Sequence, residues 1–289
     1  MKKGLIFING FSLTQSQKHQ ADKISHALVG LGIDVKIIKG NSLPAYIDGE
    51  KVIYNAPECD FAVFLDKDVH LSHMLEKSGI RLFNTAQAIE ICDDKMRTYI
   101  NLVNSGVKMP LTISSPLMYR QSDDDFINLV EEKIHYPVVV KECYGSFGAG
   151  VHLAENREQL ESLREKFKLI PHLYQRFVGE GGKDTRVIVI GGKVLAAIDR
   201  VNENDFRSNI ELGGKGYKRE LDEKLIDICE KTATALGLDY CGIDLLKEGD
   251  EYYVCEVDSN ACFCSFEQVT GIDVGKEYAR YIDKKIYND

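Results

Sequence analysis

The first third of the chain alternates short apolar runs with longer segments in which apolar residues recur every three to four positions. Short apolar runs are typical of buried strands, and the recurring pattern is typical of amphipathic helices. We predict strands at residues 5–8, 34–38, 61–65 and 81–83, and helices at 17–31 and 69–77. This β-α-β order predicts an open parallel sheet. No Gly-x-Gly-x-x-Gly follows the first strand, so the pattern does not support a dinucleotide-binding fold.

The remainder of the chain is first helical and then, after residue 137, rich in strands. We predict helices at residues 84–110, 123–134, 157–167, 221–236 and 274–286. We predict strands at 138–141, 151–153, 173–178, 186–190, 193–198, 241–246 and 252–258, with a short one between Pro110 and Pro116. Two pairs of these strands are separated by short turns, which predicts antiparallel hairpins and α+β units.

Composition narrows the class of protein. Apolar residues make up 44% of the 289 residues and charged residues 28%, which is typical of a globular enzyme or binding protein. The net charge of −9 argues against nucleic acid as the main partner, and no apolar run reaches the ~20 residues of a membrane span. The eight cysteines are scattered, which favours reduced thiols and a cytoplasmic location.

Three acidic residues lie close together in the last predicted hairpin. If that hairpin is centred near Asp250, Asp244 lies directly across from Glu256, and Asp258 points to the same face two residues further on. Like charges opposite one another destabilise a sheet, so we expect a bound cation to stabilise this face. Oxygen-only ligands suggest Mg²⁺ or Mn²⁺. The alternative is a solvated hairpin face.

A glycine-rich loop follows the strand that contains Lys141. Gly145, Gly148 and Gly150 fall within six residues, which lets backbone N–H groups close over phosphate oxygens while Lys141 supplies a cation. The loop lacks Gly-Lys-Ser/Thr and is therefore not a P-loop. A glycine-rich hairpin with a surface lysine is an equally good interpretation of the loop alone.

Other segments carry weaker signals. Lys95 is a second candidate phosphate lysine, with a solvated surface lysine as the alternative. Residues 175–178 are a candidate adenine hinge or simply a core strand. The polar loop around Arg207 and Asn209 offers donors for phosphate or carboxylate, or is a flexible surface loop.

Two arginines flank the Gly191-Gly192 turn, and no local motif supports a nucleophile. A strict two-residue turn puts Arg186 and Arg200 on opposite faces of the hairpin, so a bulge or twist is needed to aim both at one site. The closely spaced Cys262 and Cys264 have no histidine nearby in the sequence, which disfavours nucleophilic cysteine chemistry.

Taken in order, these motifs resemble the ATP-grasp superfamily, specifically the branch of the ribosomal protein S6 glutamate ligase with its lysine-biosynthesis and coenzyme F420 relatives. The resemblance runs from Lys95 to the C-terminus and includes Asp205-Phe-Arg-Ser-Asn209 and Glu256-Val-Asp258-Ser-Asn260. It implies an α/β (α+β ATP-grasp) fold. Residues 1–90 would form the preceding parallel-sheet domain, 91–174 the subdomain with the glycine loop and 175–289 the subdomain with the metal site.

The resemblance also implies a role for each candidate residue. The catalytic residues would be Arg207, Arg200 and Arg186. The nucleotide would be held by Lys95, Lys141, Gly145, Ser146, Phe147, Gly148, Gly150, Gln175, Arg176, Phe177, Val178, Asp184, Arg207 and Asn209. The ligands of two Mg²⁺ ions, for which Mn²⁺ could substitute, would be Asp244, Glu256 and Asp258.

The implied activity is that of an ATP-dependent carboxylate–amine ligase that forms an amide through an acyl phosphate. The partners would be a small-molecule or peptide carboxylate and an amino acid such as L-glutamate, and the resemblance also allows a homo-oligomer. The chain departs from the family at Asp258, where Asn is usual, and at Ala261-Cys262, where Pro-Gly is frequent. The alternatives are a regulatory ATP-binding module without ligase activity and a kinase-like phosphotransferase on the same fold.

Overall fold

The N-terminal part of the chain forms the predicted parallel sheet. A computed structural model describes residues 1–11, 14–42, 45–120, 125–146 and 148–288. The sheet has the order β2-β1-β5-β6, with all neighbours parallel. Its elements are β1 (Lys3–Ile8), α1 (Gln15–Gly30), β2 (Asp34–Lys39), β5 (Phe61–Leu65), α2 (Val69–Lys77) and β6 (Arg81–Phe83). A small hairpin of β3 (Ala45–Asp48) and β4 (Lys51–Tyr54), which the sequence pattern did not predict, lies between β2 and β5.

The segment predicted to be mostly helical, residues 84–110, contains two helices, α3 (Ala86–Asp93) and α4 (Lys95–Leu102). Asp94 has extended backbone angles, and its Oδ1 accepts hydrogen bonds from the amides of Met96 at 2.9 Å and Arg97 at 3.1 Å. An aspartate in this geometry caps a new helix rather than continuing the old one. The helical character is therefore confirmed, but the break at Asp94 was not predicted, because periodicity alone does not show a side chain capping its own backbone.

The second sheet is antiparallel and has the order β7-β10-β8-β9. Its strands are β7 (Thr112–Ser114), β8 (Val138–Glu142), β9 (Val151–Ala154) and β10 (His172–Arg176), and it packs against α5 (Phe126–Ile134) and α6 (Arg157–Lys166). The first residues of the predicted helix 123–134 lie outside the described residues. Strand β10 runs through the division predicted between residues 174 and 175.

The third sheet is also antiparallel and has the order β13-β12-β11-β14-β15. Its strands are β11 (Lys183–Ile190), β12 (Lys193–Val201), β13 (Lys215–Arg219), β14 (Tyr240–Glu248) and β15 (Glu251–Asp258). Helix α7 (Glu223–Ala235) covers one face, and α8 (Cys264–Thr270) and α9 (Val274–Asn288) follow the last strand. Neither β13 nor α8 was predicted, because β13 begins in a glycine-rich stretch and α8 has only seven residues.

Each hairpin of the third sheet contains one extra residue. In the first, Arg186 pairs with Ile198 and the register shifts between Ile188 and Val189, so Arg200 falls on the same face as Arg186. In the second, the register shifts between Asp244 and Leu245. The bulge that was predicted to be necessary for Arg186 and Arg200 to share one face is therefore present. The predicted pairing of Asp244 with Glu256 is also confirmed, although it depends on a bulge that was not predicted.

The N-terminal sheet and the third sheet share one hydrophobic core. Phe61 and Phe83 of the first sheet pack with Ile188, Tyr240 and residues of the last helix. Helices α1 and α9 lie against each other, and Lys23 of α1 forms an ion pair with Glu267 of α8 at 2.9 Å. Within the ranges described, no helix is long and apolar enough to cross a membrane.

A buried amide joins the two sheets directly. The Nδ2 of Asn84 donates to the carbonyls of Tyr240 and Ser259, both at 2.8 Å. Its Oδ1 accepts from the amides of Asp239 at 2.6 Å and Tyr240 at 3.0 Å. The side chain is 2% exposed, so all of these bonds form away from water. Asn84 therefore fixes the end of β6 against the start of β14 and the end of β15.

We expect Asn84→Ala to lower the free energy of unfolding by about 3 kcal/mol, because several buried backbone groups lose their partners at once. Chemical denaturation followed by circular dichroism measures this change. Asn101→Ala is the control, since the Asn101 amide makes one exposed bond within α4 and its loss should change stability by less than about 0.5 kcal/mol. Equal stability of the two variants would contradict the role given to Asn84.

Candidate active site

A deep cleft opens between the second and third sheets. Its empty volume is about 730 Å³, part of it open to solvent. Most of the described residues that the sequence assigned to a nucleotide line this cleft. They are Lys95, Lys141, Gly148, Gln175, Arg176, Phe177, Val178, Asp184, Arg207 and Asn209. Arg200, Asp244 and Glu256 also line it. Phe147 lies outside the described residues. The fold thus brings together side chains that are far apart in the sequence.

Both candidate phosphate lysines are buried at the floor of this cleft. Lys95 is the first residue of α4, and its ammonium lies 3.1 Å from the carbonyl of Gly145 and 3.4 Å from Oε1 of Glu256. Lys141 lies in β8, and its ammonium lies 3.3 Å from the sulfur of Cys255. Burial alone would lower the pKa of Lys141, but its neighbours Cys255, Tyr99 and Glu256 raise it above its usual value. Lys141 therefore carries a positive charge at neutral pH.

The glycine loop bends towards the polar loop that contains Arg207. Arg207 donates from Nη1 to the carbonyl of Gly148 at 2.7 Å and is held in turn by Asp205. Gly148 has a φ of +72°, and a Cβ there would lie 3.0 Å from Oδ1 of Asn209, so a side chain would be strained and crowded. A Cβ on Gly150 would lie 2.9 Å from Cβ of Glu142. Gly148 therefore lets the loop approach Arg207 and Asn209 closely, and Gly150 leaves room for the side chain of Glu142.

The hinge segment follows β10 at the edge of the cleft. The side chain of Gln175 is buried and donates to Oγ1 of Thr112 at 2.9 Å. Arg176 points away to form two hydrogen bonds with Glu248, at 2.9 and 3.1 Å. Phe177 and Val178 provide the apolar wall that a planar ring would contact.

A buried ion network lies between the strands of the third sheet. Arg186 donates from Nε and Nη2 to the two carboxylate oxygens of Asp244, at 2.6 and 2.7 Å. Arg200 reaches Oδ2 of Asp244 at 2.8 Å and also pairs with Asp184. Burial alone would raise the pKa of Asp244, but the two guanidinium groups lower it to about 2. Asp244 therefore stays ionised between the two arginines. Burial raises the pKa of Asp184, and Arg200 opposes that rise.

The three acidic residues of the second hairpin have different surroundings. Asp244 is 3% exposed and engaged by both arginines. Glu256 is about one-third exposed and faces the cleft next to Lys95. Asp258 pairs with Gly242 on the predicted face and accepts a hydrogen bond from the amide of Asn260 at 3.0 Å. Among the described residues, no group of three or more acidic, histidine or cysteine side chains forms a preformed metal-binding site.

A second cavity adjoins the cleft on the side of the N-terminal sheet. Its empty volume is about 1220 Å³, and it shares Arg200, Asn209 and Glu256 with the cleft. It is lined by Arg186, Asp258, Ser146, Asn260 and Cys262 together with residues that were not predicted from the sequence, namely Asn9, Gln17, Asp66 and Lys67. The two cavities therefore meet at an arginine, an asparagine and a glutamate.

Three residues of the second cavity that were not predicted could have been found from their positions at the ends of predicted strands. Asn9 follows β1, and Asp66 and Lys67 follow β5, so all three stand at the carboxyl ends of neighbouring parallel strands, where ligands commonly bind. Lys67 lies 3.4 Å from Asp93. Burial would lower the pKa of Lys67, but Asp258, Asp93 and Glu256 raise it. Lys67 therefore brings a positive charge from the N-terminal unit to the acidic edge of the third sheet.

Known proteins share both the sequence pattern and the fold. A family model described as the RimK-like ATP-grasp domain matches residues 92–282. The chain is 37% identical over 222 residues to N-acetylaspartylglutamate synthase A of Homo sapiens, covering 75% of this chain and 56% of that protein. It is 36% identical over 214 residues to a probable alpha-L-glutamate ligase of Serratia proteamaculans (strain 568), covering 73% of this chain and 70% of that protein.

The three-dimensional comparison agrees with the sequence comparison. The crystal structure of a RimK domain ATP-grasp protein from Sphaerobacter thermophilus DSM 20745 has a TM-score of 0.73, with 17% identity, over 96% of this chain and 99% of that one. This similarity confirms the predicted ATP-grasp fold. The chain spans only about half the length of the human synthase that it matches. The family match covers about two-thirds of the chain, and the chain therefore belongs to the RimK-like ATP-grasp family.

Proposed function

We propose that this protein is an ATP-dependent carboxylate–amine ligase that adds an amino acid, L-glutamate in the first instance, to a carboxylate acceptor. The observation that carries the proposal is the meeting of two cavities at Arg200, Asn209 and Glu256. One cavity has the residues that suit a nucleotide, and the other has room for an acceptor and an amine. Two relatives, an N-acetylaspartylglutamate synthase and a probable alpha-L-glutamate ligase, support the choice of amino acid.

The cleft fits ATP in shape and charge. Lys95 and Lys141 would neutralise phosphate oxygens, and the loop through Gly145 and Gly148 would cover them with backbone N–H groups. Phe177 and Val178 would contact the adenine, and Asp184 would lie near the ribose. The lack of a side chain at Gly148, where a Cβ would lie 3.0 Å from Oδ1 of Asn209, supports a loop that can lie close to a ligand.

The residues also suit Mg²⁺ or Mn²⁺. Glu256 and Asp258 offer carboxylate oxygens on one face where the two cavities meet, and hard oxygen ligands match these ions. We propose that two ions bind when nucleotide is present, and that Asp244 joins the set only after one of its arginines moves, because Arg186 and Arg200 occupy its oxygens. Such ions would neutralise charge on transferred phosphate.

The proposed chemistry needs no protein nucleophile. An acceptor carboxylate oxygen attacks the γ-phosphorus, ADP leaves, and an acyl phosphate forms. The amine then attacks the acyl carbon, phosphate leaves, and the amine loses a proton as the amide forms. Arg207 and Asn209 would hold the γ-phosphate from one side, and Arg200 would contact the transferred group from the shared wall. Closure of the glycine loop over Arg207 would keep water from the acyl phosphate.

We further propose that the protein works in the cytoplasm. All eight cysteines are free thiols. Reducing compartments keep thiols in this state.

The direct test is ADP release from ATP and Mg²⁺ with L-glutamate and a panel of carboxylates, followed by mass spectrometry of the product. We expect release that requires both the acceptor and the amine, and a product joined by an amide. A stable phosphorylated product would indicate a phosphotransferase. Nucleotide binding without turnover on any combination would contradict the ligase proposal.

Glu256→Gln should abolish turnover and leave the fold intact, because the change removes the charge of a proposed metal ligand while keeping its size. ADP release and the melting temperature measure the two effects. Glu251→Gln is the matched control, since Glu251 lies in the same strand and forms an ion pair with Lys108 at the surface. Unchanged turnover in Glu256→Gln would refute the metal assignment.

Asp258→Asn should reduce turnover only mildly, about threefold or less, because an amide oxygen keeps a hard ligand and restores the residue usual in the family. The Mg²⁺ concentration for half-maximal activity should rise, since one negative charge is lost. Steady-state rates at several Mg²⁺ concentrations measure both. Complete inactivity would show that the additional charge has a role of its own.

A further inference from the structure

Cys255 is the extra residue of the second bulge. Leu245 pairs with Val254 and Asp244 pairs with Glu256, so Cys255 has no cross-strand partner. A bulge turns two successive side chains towards the same side of a strand. As a result both Cys255 and Glu256 line the cleft.

The two successive side chains contact the two candidate phosphate lysines. Glu256 lies 3.4 Å from the ammonium of Lys95, and the sulfur of Cys255 lies 3.3 Å from that of Lys141. The bulge is itself held by α4, because the hydroxyl of Tyr99, one turn after Lys95, donates to the carbonyl of Cys255. Helix α4 therefore carries one lysine and fixes the partner of the other.

The partner of Lys141 is a thiol, whereas the partner of Lys95 is a carboxylate. Among the described residues, no carboxylate lies within ion-pair distance of Lys141. An ammonium has three N–H donors, and a thiol sulfur accepts only weakly. Cys255 thus orients the ammonium with one bond while its charge stays unneutralised and its other donors remain available for phosphate oxygens.

We propose that Cys255 is a positioning residue for nucleotide binding, which acts by holding the ammonium of Lys141 towards the phosphates. The proposal rests on the proposed nucleotide site. Cys255 would then do more than form part of the wall of the cleft. A carboxylate at this position would compete with phosphate for the lysine, and an alkyl side chain would leave a buried ammonium without its hydrogen bond.

Calorimetric titration of the full chain with AMP-PNP and Mg²⁺ tests the proposal. Cys255→Ala should weaken binding about 3- to 10-fold, the factor expected for loss of one hydrogen bond. Cys255→Ser should stay within about twofold of the wild type, because a hydroxyl also accepts from an ammonium. Cys59→Ala, a half-buried cysteine of the N-terminal unit, is the matched control and should bind normally.

A second experiment, in a Lys141→Gln background, distinguishes a positioning role of Cys255 from a general structural role. In Lys141→Gln protein, Cys255→Ala should change the dissociation constant less than twofold, because the group through which Cys255 acts is gone. Equal binding by the wild type and Cys255→Ala, or an undiminished effect in the Lys141→Gln background, would overturn this proposal alone. Wild-type protein that does not bind AMP-PNP would overturn the proposed nucleotide site as well.

Discussion

The site depends on two interruptions of the strict alternation of side chains along a β-strand. Without the extra residue in the first hairpin, Arg200 would lie opposite Lys183 and face away from Arg186. Without Cys255 as the extra residue in the second, Asp244 would not face Glu256. One added residue in each hairpin therefore turns a regular sheet into one that gathers arginines and carboxylates on a single face.

The gathered charges stabilise one another only because they are paired. Asp244 is held by two arginines and Asp184 by one, so each buried acidic group has a basic partner. Loss of one partner would leave a buried charge uncompensated, at a cost of about 3–5 kcal/mol. Such a network can remain rigid in the floor of a site while the more exposed Glu256 and Asp258 stay available for ligands. Rigid support of this kind is what precise positioning of a substrate requires.

The N-terminal unit completes the site rather than only preceding it. Asn84 ties β6 to the third sheet, and a common core continues through Phe61 and Tyr240. This attachment sets Lys67 beside the acidic edge of β15 and closes one wall of the second cavity. A ligand in that cavity would therefore contact two units of the protein at once.

The sequence was sufficient to predict most of the helices and strands, the parallel N-terminal sheet and the two late hairpins, because these follow from local periodicity and turn chemistry. It also predicted that Asp244 faces Glu256, but that pairing depends on a bulge that the local pattern did not show. It also identified the lysines and the glycine loop, whose residue types suit phosphate. Only the tertiary structure decided that α3 and α4 are separate helices, that Asp244 is occupied by arginines, and that Lys67 and Cys255 reach the site. Those features depend on capping by a side chain, on bulges and on contacts between distant segments. Local patterns do not encode such contacts, because the partners are brought together only when the chain has folded.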